Sequence, residues 1–316
     1  MTTPTAAIDW NKDEHASGLV SIGERELFLE VRGPSRTPGQ PVVICEAGHG
    51  CSGACWLGVQ KRAASFARVY LYDRAGYGHS PPGPSPRTAS AIAAELSALL
   101  TAAQVDGPYL MLCHSWGGVL AREFFAVREA DVAGLIFVDT VSERMFQGGI
   151  PPLEAFGAIS KGVNPYEATG LNTGHKLDPD DWVVVKGESP NGSATAQKEM
   201  ESAEESGNVL ETKRQFEKQA LGSRLVVVIK GNATRGMKQI CEAGIAAGNG
   251  TPEQQRMIRE YLETSEAIRE NHQKEQLTLS SWSRFIQANN SGHDVHLTEP
   301  ELIVSELEKA LAELQA

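Results

Sequence analysis

Six short apolar runs punctuate the chain: "PVVICEAG" (41–48), "RVYLYD" (68–73), "YLMLCH" (109–114), "VAGLIFVD" (132–139), "RLVVVIKG" (224–231) and "RFIQANN" (284–290). A continuous apolar run of this length is expected of a strand buried on both faces. Ahead of them, "GLVSIGERELFLEVRG" (18–33) alternates apolar and polar residues, which predicts two antiparallel strands turning at Gly23-Glu24. Helical patterns separate the runs at 88–103, 117–130 and 297–314; in the last, Leu302, Val304, Leu307, Leu311 and Leu314 recur at near-helical spacing. Strands alternating with helices predict an α/β domain whose eight-stranded sheet is mostly parallel and covered by helices on both faces. Ligands of such sheets bind beyond the carboxyl ends of the strands, where this chain concentrates glycine, histidine and serine.

The rhythm breaks between residues 141 and 221. That segment is polar, contains "GESPNGSATAQKEMESAEESGN", and scatters its apolar residues Phe146, Ile150, Leu153, Phe156 and Trp182. A connection this long is more often a functional lid than a linker, so the chain divides into a core of residues 1–140 and 222–316 and a helical lid of residues 141–221. A second long connection, 234–282, holds a helix for which Thr251 is the expected N-cap, with Pro252 at its first position.

With 316 residues, 41% hydrophobic and 22% charged, the chain has ordinary globular composition. Its formal net charge of -11 argues against nucleic acid or an anionic membrane as main partner. The start, "MTTPTAAIDWNKDEH", lacks the basic and apolar segments of a secretory signal, and no apolar run is long enough to cross a bilayer. Five cysteines (Cys45, Cys51, Cys55, Cys113, Cys241) then read as reduced thiols, and the expected location is cytoplasmic. "CSGAC" lacks a second ligand pair at metal-site spacing, so no metal is expected. Nothing in the pattern specifies an oligomeric state.

In "YLMLCHSWGGVLAREF" a strand, a tight turn and a helix meet with Ser115 at the apex, the form of a nucleophile elbow. Gly117 and Gly118 answer the need for small neighbours where strand and helix approach. A buried serine at such a turn could instead be a plain N-cap. As a nucleophile it needs a base, and the candidate is His293 in "NNSGHDVHLTEPELI", between the last strand and the last helix. His296 competes but is expected in a surface or capping role. His49 and His114 lie near the site, whereas His15, His79, His175 and His272 are expected to be solvated. The acid that orients the imidazole is expected in Asp139, at the end of "GLIFVD", because "KGNATRGM" offers Thr234 and no carboxylate before Glu242. The alternative for Asp139 is a turn cap, with Glu143 and Asp294 as reserve acids. Two amides are candidates for an oxyanion hole: that of Trp116 after the elbow, and that of His49 in "CEAGHGCSGACW".

Together "EAGHGCSGACW", "YDRAGYGHSPPGPSPRT", "CHSWGG", "GLIFVD" and "SGHDVHLTEPELI" resemble the motifs of the α/β-hydrolase fold superfamily, in its serine hydrolase form. The resemblance covers most of the chain outside the lid. It departs in two places: Cys113 stands where the elbow pattern G-x-S-x-G has its first glycine, and the acid usual after strand seven is missing. Asp73 and Arg74 are expected to be structural, with Glu46 as a possible buried partner.

The resemblance implies hydrolysis of a carboxylic ester, lactone or thioester through an acyl-enzyme, without metal or organic cofactor. The partner would be a small-molecule acyl substrate, mid-sized and partly apolar to suit the lid. Acyl transfer or lactone-forming cyclisation on the same triad is the alternative, and a non-catalytic small-molecule binder the second. Dehalogenase chemistry is disfavoured because it needs a carboxylate where Ser115 stands. Dinucleotide redox chemistry is disfavoured because "GHGCSG" lacks its acidic partner.

Overall fold

The computed structural model describes residues 8–187 and 191–315. Eight strands form one sheet: β1 His15–Ser21, β2 Glu26–Arg32, β3 Val42–Glu46, β4 Val69–Tyr72, β5 Tyr109–His114, β6 Val132–Val138, β7 Gly222–Lys230 and β8 Ser280–Gln287. Their spatial order is β1-β2-β4-β3-β5-β6-β7-β8. Strands β1 and β2 pair antiparallel, β2 runs antiparallel to β4, and every pairing from β4 to β8 is parallel. The predicted sheet is therefore the observed one. β8 is displaced the most: it starts at Ser280 rather than Arg284, because the first half of this edge strand is mostly polar and makes no apolar run, while β1 starts at His15 rather than Gly18.

Alternation along the central strands sorts their side chains into two cores. Ile44, Tyr70, Met111, Phe137 and Val228 face the helices Ala89–Ala102 and Gly117–Val127. Val43, Leu71, Leu112, Ile136 and Val227 face the helices Leu57–Ala63 and Pro300–Gln315. Cys113 belongs to the first core and is fully buried, level with Glu46 and Phe137 on the neighbouring strands. Its thiol thus occupies packed space beneath the turn at Ser115.

Among the described residues, six α-helices lie between β6 and β7, from Leu153–Ser160 to Ala203–Thr212. Ala203 and Leu210 join Trp116, Val119 and Leu120 in one apolar cluster, which seats the last of these helices on the helix Gly117–Val127. The helix Pro252–Glu275 starts with Thr251 and Gln254 in a reciprocal capping box and Pro252 at its first turn. It packs against the helix Leu153–Ser160 through Ile258, Ile159 and Ala155. Among the described residues no helix is long and apolar enough to cross a membrane.

Candidate active site

The turn at Ser115, between β5 and the helix Gly117–Val127, follows from local sterics. Ser115 holds φ of +52°, a left-handed conformation that a side-chain-bearing residue adopts only under constraint. A Cβ on Gly117 would lie 2.6 Å from the Glu46 carbonyl oxygen, and one on Gly118 would lie 2.6 Å from Thr140 Cβ. Glycine at both positions lets the helix start against the ends of β3 and β6, leaving Ser115 at the corner.

Ser115, His293, His49 and Trp116 line one cavity of about 750 Å³ above the carboxyl ends of the strands. Asp139, the first residue past β6, lies beneath it and is also held at positive φ, +44°. Its Oδ2 lies 2.7 Å from His293 Nδ1, and its Oδ1 accepts from the Gly231 amide at 2.9 Å and from Gln273 Nε2 at 3.4 Å. The carboxylate is buried and turned toward the imidazole rather than capping its own turn. Of the reserve acids, Glu143 is taken by Arg122, whose Nη1 and Nη2 reach it at 2.5 and 3.0 Å. Asp294 borders the same cavity, and burial lifts its carboxyl above the ordinary range.

Burial alone would lower the His293 pKa, but the hydrogen bond and charge of Asp139, helped by Asp294, outweigh it and hold the ring above its ordinary value; Arg269 pulls the other way. His114 Nε2 lies 3.1 Å from the His293 carbonyl, which can only accept, so Nε2 carries the proton and steadies the backbone of the histidine loop. Its Nδ1 is buried without a partner among the described residues, and burial holds this ring well below the usual histidine range.

His296 departs from expectation: it is buried, not at the surface, and packs on His114 and Trp56 with ring centroids 4.1 and 5.0 Å away. The apolar Leu297 and Val295 flanking it draw the turn inward, and burial lowers its pKa to about 3. His15 and His79 are exposed as expected, whereas His175 and His272 are half-buried, His175 by stacking on Trp182. Among the described residues His114, Asp294 and His296 offer ligand atoms within 4.8 Å of one another, a set of the size a divalent cation could use. The five cysteines are unpaired, Cys51 half-buried and the others buried.

Neither the His49 nor the Trp116 amide donates a hydrogen bond to any described residue. The Gly48–His49 peptide is fixed from behind by Arg74, whose Nη2 donates to the Gly48 carbonyl at 2.8 Å and whose Nη1 donates to that of Ala47 at 2.8 Å. In a trans peptide the N–H points opposite to the carbonyl, so Arg74 turns the His49 N–H away from itself. Arg74 is in turn gripped by Glu46 at 3.2 Å and by Glu199, from the helix Gly192–Glu201, at 2.9 Å. Burial pushes the Glu46 carboxyl up to about 7. The structural reading of Arg74 holds, with two additions that sequence did not suggest: the partner Glu199 and the hold on the His49 peptide. Asp73 locks the same loop by accepting from the Gly53 and His79 amides at 2.9 and 2.8 Å.

This chain belongs to the alpha/beta hydrolase family, whose model matches residues 42–306. It is similar to an AB hydrolase superfamily protein of Gibberella zeae, 34% identical over 95% of this chain and 97% of the other. It is also similar to a protein of Hormonema carpetanum called "Probable transporter efuK", 32% identical over 97% of this chain. This chain spans 44% of the length of that relative. Among solved structures, a thermophilic esterase of Thermogutta terrifontis with malate bound superposes with a TM-score of 0.57. At 17% identity over 96% of this chain and all of the other, the likeness is one of fold.

Proposed function

We propose that the chain is a serine hydrolase acting on a carboxylic ester, lactone or thioester. The observation that carries this reading is the 2.7 Å contact between His293 Nδ1 and Asp139 Oδ2, with His293 and Ser115 on the wall of one cavity. With Nδ1 engaged by the carboxylate, Nε2 is the nitrogen free to accept a proton. Ser115 Oγ attacks the substrate carbonyl while His293 Nε2 takes its proton. The oxygen of the tetrahedral intermediate is met by the amides of His49 and Trp116. His293 then returns the proton to the departing alcohol or thiol, leaving an acyl ester on Ser115. Water, deprotonated by the same nitrogen, attacks that ester; His293 then passes the proton to the departing Ser115 Oγ, which frees the acid and restores the hydroxyl.

Residues 141–221 act as a cap. Met145, Ile150 and Phe156 from this segment line the cavity and supply apolar wall for a mid-sized substrate. No metal or organic cofactor enters the reaction.

An active-site-directed phosphonate together with a panel of p-nitrophenyl esters, aryl lactones and acyl thioesters tests the proposal. Wild type should label and turn over at least one substrate class, Ser115→Ala should do neither, and His293→Ala should label slowly. A folded wild-type protein that neither labels nor hydrolyses would mark a binder on a hydrolase fold. An acyl-enzyme that forms but yields product only when an alcohol is added would mark a transferase.

A further inference from the structure

The buried arginines of this chain are almost all matched. Arg74 meets Glu46 and Glu199, Arg122 meets Glu143, and Arg68 spends its guanidinium on the carbonyls of Trp10, Asp13, Gly33 and Pro34. Arg87 leaves Nε without a partner, yet both its Nη atoms grip Glu95.

Arg269, half-buried on the helix Pro252–Glu275, breaks this rule. Its Nε is buried with no partner, and its Nη2 reaches only the Tyr261 hydroxyl, at 3.5 Å. Among the described residues no carboxylate lies within ion-pair distance of it; Glu266, one turn earlier on the same helix, is engaged by Lys230. Desolvating part of a guanidinium without an anion costs free energy that nothing in the protein returns.

Arg269 lines the cavity that holds Ser115 and His293, and so do Arg235 and Lys176, both exposed and both without an ion-pair partner among the described residues. Of the acids on the same wall, Glu199 is held by Arg74 and by the Tyr77 hydroxyl, so among the described residues Asp294 is left as one unpaired carboxylate against three cations. A chain of net charge -11 thus surrounds its serine with three cations.

We infer that the substrate carries a free carboxylate that pairs with Arg269, with Arg235 and Lys176 drawing it in. The class is an ester, lactone or thioester of a partly apolar acid bearing a second, ionised carboxyl group. A planar guanidinium offers parallel N–H donors that fit a carboxylate, and the apolar wall accommodates the chain between the two ends.

This inference rests on the hydrolase reading, and the test separates the two. Mono-p-nitrophenyl suberate and its methyl ester differ by the free carboxylate alone. The ratio of their kcat/KM values, acid over methyl ester, should exceed one in wild type and fall by about 10- to 100-fold in Arg269→Met, the loss expected for a charged hydrogen-bonded partner. Arg269→Lys should recover part of it. Arg269→Gln carries the same expectation as methionine should that variant fail to fold.

In parallel, suberate titrated into folded Ser115→Ala protein should bind, and the binding should vanish when Arg269→Met is added. If wild type shows no preference, or Arg269→Met lowers both esters alike, the carboxylate site is overturned while hydrolysis stands; Arg269 would then serve only the His293 region. If neither ester is hydrolysed yet suberate binds through Arg269, the hydrolase reading fails and the carboxylate site survives.

Discussion

The carboxyl ends of β6 and β7 are neighbours in the sheet, and only one of them carries an acid. Past β7 the chain continues as Gly231, Asn232 and Ala233 into a helix, with Thr234 where the resemblance leads one to look for aspartate. Past β6, Asp139 stands with its carboxylate on His293. Parallel strands lie about 4.8 Å apart, so a carboxylate moved over by one strand can reach the same imidazole. What the vacated position supplies instead is a backbone donor: the Gly231 amide holds the second oxygen of Asp139. The carboxylate comes from the end of β6 and its backbone donor from the end of β7, and the pair can be tested from either side.

The largest expected effect is at Asp139. Asp139→Asn keeps the shape but favours the wrong imidazole tautomer, and kcat should fall by about 10⁴-fold in a folded protein. On the proposed mechanism turnover needs neutral His293, so kcat/KM should decline as pH drops through the pKa of that ring. Asp139 holds this pKa up, while burial and Arg269 press it down. In the asparagine variant the acid limb of the residual activity should therefore move to lower pH; a limb that stays in place would take Asp139 away from His293.

Gly231→Ala comes next. A Cβ there would lie 2.0 Å from the Gly292 carbonyl oxygen, so the histidine loop must shift. A displacement of this kind should cost about 10²-fold in kcat, with a lower Tm. A smaller loss, a few-fold in kcat, is expected for Gln273→Ala, since Gln273 bonds Asp139 at 3.4 Å but the Thr140 carbonyl at 2.7 Å.

The smallest effect is none. Thr234→Asp placed in the Asp139→Asn background should not restore turnover, because the Thr234 hydroxyl faces Ser265 on the long helix, 3.4 Å away. Recovery of rate would show that the β7 end can still host the acid.

The sheet was legible because its central strands are buried on both faces and so leave unbroken apolar runs. Edge strand β8 escaped at its start because an edge tolerates "SSWS". Ser115 was visible because the turn demands Gly117 and Gly118, and Asp139 by elimination. His296 was misjudged: charge-bearing residue types near a helix entrance suggest exposure, whereas Trp56, far off in sequence, covers it. Arg269 and Glu199 lie in polar helical stretches, where one more charge carries no local signal. Only three-dimensional pairing distinguishes the charge that is matched from the one that is not.

Arg74 ties two distant segments into one electrostatic unit, and that restricts how the chain can vary. Losing Arg74 would strand two buried carboxylates, at a cost of about 3–5 kcal/mol, and losing Glu199 would leave Arg74 with Glu46 as its one carboxylate. Positions 74 and 199 should therefore drift through evolution only as a couple, and a survey of natural variants should find an altered residue at one accompanied by a compensating change at the other.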